Sequence, residues 1–448
     1  MTPTREVLHH IGQTLRIGAP VVVSRAGFIG LVVVDTVMSG RAGTDELAYF
    51  SIASGPQLFL MMVGIGLLRG APVLTAQAYG AGEDREIGAL WRVIALHAFA
   101  LSLVLMAISL AGEPLLRLLG QSPDLARGGG EVMRAFAWSL PFYMVWVSLV
   151  NLLEGMGRTI PAMVITGLSV AANAGANWIL VFGNLGAPTL GAEGAQLGTT
   201  IVRAVMLLVF AVYVLQRPEF RRFALIGSVR DVWARGKTLR RLGYPMGLAT
   251  GVEALAYALM TILAGLLGKE SLAAFQTANS LVSLVFMVAI GIGAGTAVRV
   301  AQAVGRGDRR AAIYAAWTGT GLGTGALALA ALVFFLAPAT LAHLYVEETE
   351  IVALAEPVFY AAGAVLAFHG AQTVLMGALR GVGDVWYPTG VQFIGGWILM
   401  LPVGAVLAFA LDRGASGLMV GLLCSVVFAT AVLARRFRKV SQGQFARL

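Results

Sequence analysis

Long apolar runs recur along the whole chain, each closed by a charged or turn-forming cluster. A helix needs roughly 20 mostly apolar residues to cross a bilayer, so runs of this length predict membrane spans rather than soluble amphipathic helices. Reading between the breaks predicts twelve spans, roughly 16–38, 50–76, 91–112, 134–154, 161–182, 192–215, 242–267, 273–299, 312–336, 354–378, 387–410 and 416–434. The first run lacks a small-x-small cleavage site and opens a series of further spans, so it reads as the first helix and not a signal peptide. The pattern predicts an all-α polytopic membrane protein.

Composition supports this and narrows the class. Of 448 residues 58% are hydrophobic and 12% charged, with a mean hydropathy of +0.81. Soluble domains carry about 25% charge, which excludes an ordinary soluble enzyme. The single cysteine, Cys424, cannot form an intrachain disulfide, and no Cys/His spacing suggests a structural metal.

The net charge of +9 raises nucleic acid or anionic lipid as partners, and its distribution decides. With the N-terminus inside, inner segments hold 23 of the 32 Lys and Arg and outer segments 6. Arg25, Arg69 and Arg203 remain within spans. Segment 216–241 carries Arg217, Arg221, Arg222, Arg230, Arg235, Lys237, Arg240 and Arg241, and the tail carries Arg435, Arg436, Arg438 and Lys439. Outer loops are acidic, as at Glu347, Glu348 and Glu350. The basic excess is a topology signal, not a nucleic-acid surface, and predicts a multi-pass plasma (inner) membrane protein with both termini cytoplasmic.

The chain also repeats. Gly18-Ala19-Pro20 recurs as Gly243-Tyr244-Pro245, Leu47-Ala48-Tyr49-Phe50 as Leu272-Ala273-Ala274-Phe275, and Ala76-Gln77 to Gly82 as Ala301-Gln302 to Gly307, all at an offset of 225. Gly155-Met156-Gly157 matches Gly381-Val382-Gly383 at 226. The repeat predicts two six-helix lobes, residues 1–215 and 242–448, joined by a basic cytoplasmic linker 216–241 and related by a pseudo-twofold axis along the membrane normal. Such a pair can rock about a central cleft, which suits a transporter.

Polar residues inside spans are functional candidates, because charge in hydrocarbon is stabilised only by a partner or a cavity. Asp35 lies near the outer end of the first span. Asn173 and Asn177 share a face of the fifth, and Thr199 of the sixth lies at similar depth. These oxygen-bearing groups suit a proton or a hard cation such as sodium; alternatively, Asn173, Asn177 and Thr199 join helices as hydrogen-bonding polar groups. Pro20, and Pro245 in the corresponding place, should bend their helices. Glu253 and His369 fall near the middle of the seventh and tenth spans, and Arg25 is a conceivable ion-pair partner for Glu253. Met38, Met61, Met62, Phe286 and Met287 suit either an adaptable lining or lipid contact. No DxxxD, HExxH or GxSxG arrangement supports an intramembrane enzyme.

The chain resembles the multidrug and toxic compound extrusion (MATE) family, in its bacterial NorM-type branch, from about residue 10 to 435. The stretches that carry the resemblance are Val34-Asp35-Thr36-Val37-Met38-Ser39-Gly40, Ala76-Gln77 to Gly82, Asn173 to Asn177-Trp178, and Gln372 to Gly381. The resemblance implies a secondary antiporter that exports cationic or amphipathic compounds against inward proton or sodium movement, with no cofactor and working as a monomer. It implies that Asp35, Asn173, Asn177 and Thr199 form a cation-coupling cluster, that the first helix bends at Pro20, and that Glu253 is the acidic residue of the second lobe. The sequence departs from the pattern twice: Asn177 stands where some relatives carry an acid, and His369 where NorM-type members carry an aspartate. Imidazole is a poor sodium ligand, so the reading favours proton coupling through Asp35, with Glu253 and His369 serving substrate binding or a second proton step. A lipid-linked oligosaccharide flippase shares the two-lobe plan but would need more cavity cations than Arg25 and Arg203.

Overall fold

The computed structural model describes residues 3–228, 234 and 236–448, and the regular elements there are all helical. Arg230 and Arg235 of the basic segment lie outside the described residues. Among the described residues eleven helices are long and apolar enough to cross a membrane, and a bent pair, taken as one span, makes a twelfth. In chain order they are α1 (Pro3–Ala42), α2 (Thr44–Gly80), α3 (Asp84–Leu110), α4 (Pro123–Ala137 with Ser139–Gly155), α5 (Ile160–Leu180) and α6 (Gly191–Gln216). Then follow α7 (Lys237–Leu266), α8 (Lys269–Gly305), α9 (Arg309–Leu336), α10 (Thr349–Gly381), α11 (Trp386–Ala410) and α12 (Gly414–Gln442).

The sequence repeat becomes a repeat of helix ends. After α2, Gly82 takes a φ of 74°, its N–H donates to the Tyr79 carbonyl, and the Glu83 N–H donates to that of Ala78. Gly307 (φ 71°) and Asp308 close α8 on Val304 and Ala303 in the same way. Gly157 after α4 and Gly383 after α10 repeat the motif. Only glycine takes this left-handed turn without strain, which is why glycine recurs at these four helix ends.

The chain divides into two compact units, Met1–Val22 with Leu248–Leu448, and Val23–Gly247. The boundaries fall inside α1 and α7, beside Pro20 and Pro245, and both helices run on through their prolines. In the first unit the start of α1 packs on α8: a Cβ on Gly18 would stand 2.7 Å from the Gly291 carbonyl oxygen, and one on Gly295 2.8 Å from that of Thr14. In the second unit the start of α7 packs on α2, where a Cβ on Gly243 would stand 2.0 Å from the Leu67 carbonyl oxygen. Gly155 against Pro72 and Gly381 against Ala297 repeat a further backbone contact. A Gly243→Val protein should be destabilised by about 1–3 kcal/mol through overpacking, measured as a lower midpoint of thermal unfolding in detergent.

Two segments differ in character from their sequence reading. Helix α4 begins at Pro123, inside what reads as an outer loop, and bends by 43° before Ser139. Its Gly128-Gly129-Gly130 run, too polar and small to register as a span, lies against Tyr49, Ile52 and Glu113. The first part of segment 216–241 is packed rather than loose: Phe220, Phe223 and Leu225 are buried, and Arg92 donates to the carbonyls of Ala224 and Ser228.

Candidate functional site

Within the Val23–Gly247 unit, α1, α5 and α6 converge on one buried carboxylate. Asp35 is 3% exposed, and Asn173 and Asn177, one turn apart on α5, each donate from Nδ2 to its Oδ1 at 2.7 Å. Thr199 Oγ1 lies 2.8 Å from Asp35 Oδ2 and 3.0 Å from Asn173 Oδ1. Gly198 makes room, since a Cβ there would sit 2.5 Å from Asn177 Oδ1. All four coupling candidates named from the sequence therefore meet at one point.

The hydrogen count of this cluster is informative. Thr199 has one proton for two acceptors, so an ionised Asp35 and Asn173 Oδ1 cannot both receive it. A proton on Asp35 Oδ2 completes the chain: Oδ2–H donates to Thr199, whose hydroxyl then donates to Asn173. The two amides turn donors, not oxygens, toward the carboxylate.

One turn beyond Thr199 on α6, Arg203 is also buried. Its Nη1 donates to Ser139 Oγ at 2.7 Å, its Nη2 lies 3.6 Å from Met61 Sδ, and its guanidinium carbon stands 4.7 Å from the Tyr143 ring centroid and 5.3 Å from that of Phe136. Arg25 belongs to this unit, within electrostatic reach of the buried Glu154 of α4, whereas Glu253 belongs to the other.

The other unit holds a cavity lined by Glu253, Tyr257, His369, Gln372, Gln392 and Trp397. Gln392 Nε2 donates to Glu253 Oε2 at 3.1 Å, and the Trp397 indole N–H donates to the Val252 carbonyl at 3.2 Å. The His369 ring stacks on Phe286, with centroids 4.1 Å apart and planes 17° apart. His369 Nδ1, Gln372 Oε1 and Gln392 Oε1 are buried without a hydrogen-bond partner among the described residues. Helix α11 winds as a π-helix over Ile394–Met400, which brings Gly396, Trp397 and Met400 onto the cavity wall. Such wide turns recur at functional sites.

Sequence reasoning named Glu253 and His369 here but missed Tyr257, Gln392 and Trp397. Tyr257 had a signal, lying one turn from Glu253 on a common face. Gln392 stood out only as an amide in an apolar run. The π-turn that exposes Trp397 leaves no periodic signature. Arg203 was noticed as a charge within a span, but nothing in the sequence put it together with Tyr143.

The MatE family profile matches residues 20–179 and again residues 245–406, so its second copy begins 225 positions after the first. The probable multidrug resistance protein NorM of Brucella suis biovar 1 is 30% identical over 433 residues, covering 95% of this chain and 92% of that protein. That of Xanthomonas axonopodis pv. citri is 32% identical over 419 residues, covering 93% and 91%. Among solved structures, the eukaryotic MATE transporter AtDTX14 superposes with a TM-score of 0.86 at 20% identity over 98% of both chains. The Vibrio cholerae MATE transporter VcmN in the bent form gives 0.84 at 18% identity, again over 98% of both. Matched twice by the family profile and along nearly its whole length by these relatives, the chain is a multi-pass membrane protein of the MATE family.

Proposed function

We propose that this chain exports organic cations and amphipathic compounds by alternating access, in exchange for protons that enter through Asp35. The observation that carries the reading is the Asp35 cluster: a carboxylate buried in apolar helices, held by two amide donors, with a hydrogen-bond chain that is completed by one proton. The names of the relatives supply the cargo class, multidrug resistance. Membership of a transporter family removes the intramembrane-enzyme reading.

Within this scheme Glu253 holds the positive end of the cargo, while Tyr257, Trp397 and the stacked His369 and Phe286 supply its apolar walls. Pro20 lies on the same helix as Asp35, where a missing intrahelical hydrogen bond softens α1. Bending there lets a protonation event at Asp35 move the helix, and Pro245 gives α7 the same freedom. The basic segments face the cytoplasm, with both termini on that side.

The test is a gradient swap in proteoliposomes that load a fluorescent organic cation. An imposed proton gradient should drive uptake, and a sodium gradient at constant pH should leave it at the level of protein-free vesicles. Uptake driven by sodium alone would overturn the assignment of the proton.

A further inference from the structure

Arg203 is a buried guanidinium for which proton coupling at Asp35 alone gives no use. We propose that Tyr143, Phe136, Met61 and Ser139 form a second binding site for an organic cation, and that Arg203 is its tethered occupant, which leaves for Asp35 when that residue is ionised. This role presupposes that Asp35 takes the coupling proton.

The first support is the surroundings of the guanidinium. It is held by a hydroxyl, a thioether and the faces of two aromatic rings, the environment that recognises organic cations. None of its described contacts within this set is to a carboxylate. The side chain occupies a site built for a cation rather than for an ion pair.

The second support is the repeat. Met61 corresponds to Phe286 at the offset of 225, and Tyr143 to His369 at 226. Gly191 and Gly414, both with a φ of 54°, open α6 and α12 in common register, and counting on from them Arg203 corresponds to Val426. His369 and Val426 both line the cavity around Glu253, and Phe286 stacks on His369. The cage around Arg203 is thus the counterpart of an open cavity. Where the unit that holds Glu253 has the short Val426, the Val23–Gly247 unit has a long cation that fills the space.

The third support is reach and charge. Thr199 and Arg203 are one turn apart on α6, about 5–6 Å between their Cβ atoms, and Thr199 already touches Asp35. The flexible stem of Arg203 can therefore carry its head group between Tyr143 and Asp35. Around Asp35, α5 presents amides. Arg25 lies on α1 itself, Arg69 on α2, and Tyr143 and Glu154 on α4, with Asp45, Glu46 and Glu193 at the first turns of α2 and α6. Arg203 lies within electrostatic reach of Asp35.

The exchange then balances. With Asp35 ionised, Arg203 pairs with it and the cage takes one organic cation. A proton bound at Asp35 Oδ2 neutralises the carboxylate, Arg203 returns to the rings, and the organic cation leaves. The site carries one net positive charge in both states, so expelling the cargo leaves no uncompensated charge in the membrane.

Equilibrium binding of ethidium to the purified full-length protein tests this, read by fluorescence anisotropy in detergent without any gradient. A Glu253→Gln background keeps the cavity of the other unit from masking the result. Asp35→Asn, which leaves Arg203 in the cage, should weaken binding about tenfold, and adding Arg203→Met should restore it to within about threefold of the parent. Tyr143→Phe should bind like the parent, whereas Tyr143→Leu should bind about tenfold more weakly. Unchanged affinity in Asp35→Asn, no recovery in the double variant, or full affinity in Tyr143→Leu would each overturn the proposal. Failure of proton coupling is read separately, as normal proton-driven transport by Asp35→Asn.

Discussion

Replacing Asp35 with asparagine should reduce proton-driven efflux to that of protein-free vesicles while leaving the fold intact. The substituted amide keeps a carbonyl oxygen where Asn173 and Asn177 donate, and its NH2 can donate to the Thr199 hydroxyl, which then donates to Asn173 Oδ1. The variant resembles the protonated state in shape and hydrogen bonding but cannot release a proton. Its unfolding midpoint should therefore match or exceed the parent's, because the amide also removes the burden of burying a carboxylate. Efflux of a fluorescent cation from vesicles with an imposed pH gradient, alongside thermal unfolding of the same preparation, checks both parts. Normal efflux would remove Asp35 from the mechanism; loss of efflux with loss of folding would show that the cluster serves structure.

Glu253→Gln should raise the KM for a monovalent organic cation by about 10- to 100-fold, the equivalent of about 1.5–3 kcal/mol for a charge-assisted contact. The mutant amide still accepts the Gln392 hydrogen bond, so the cavity wall keeps its shape. A neutral amphipathic substrate of similar size should be transported with nearly unchanged KM, since it draws on Tyr257, Trp397 and the His369–Phe286 stack. Paired uptake curves for the two substrates check the difference. An equal loss for both would make Glu253 a structural or coupling residue instead of the partner of the cargo's charge.

The parts legible in the sequence were those written in short-range patterns. Asn173 and Asn177 fall one turn apart, so whatever one faces the other faces too, and Asp35 is conspicuous as a carboxylate in an apolar run. The recurrent glycines of the repeat announced the helix ends that the structure builds from them. The start of α4 was hidden, because Gly128-Gly129-Gly130 owes its place to close packing against Tyr49 and Glu113 and not to hydropathy. Arg203 was visible as a charge in a span, yet its meaning depends on Met61, Ser139 and Tyr143 from two other helices. Trp397 lies within a π-helical stretch and Gln392 just before it, and that stretch breaks the 3.6-residue phase by which faces are read.

By itself the sequence determined an all-helical membrane protein of about twelve spans, its repeat at an offset of 225, and a buried carboxylate as the leading chemical feature. These follow from local physics: the hydropathy of one span, the left-handed glycine at one helix end, the burial of one charge. The tertiary structure alone decided that the start of α1 packs with α8 and the start of α7 with α2, placing the unit boundaries at the two prolines. It alone decided that Arg203 fills a cage whose counterpart around Glu253 stands open. Such outcomes depend on which surfaces fit at backbone contact and which helices meet at one depth, and residues far apart in the chain carry no shared pattern that records it.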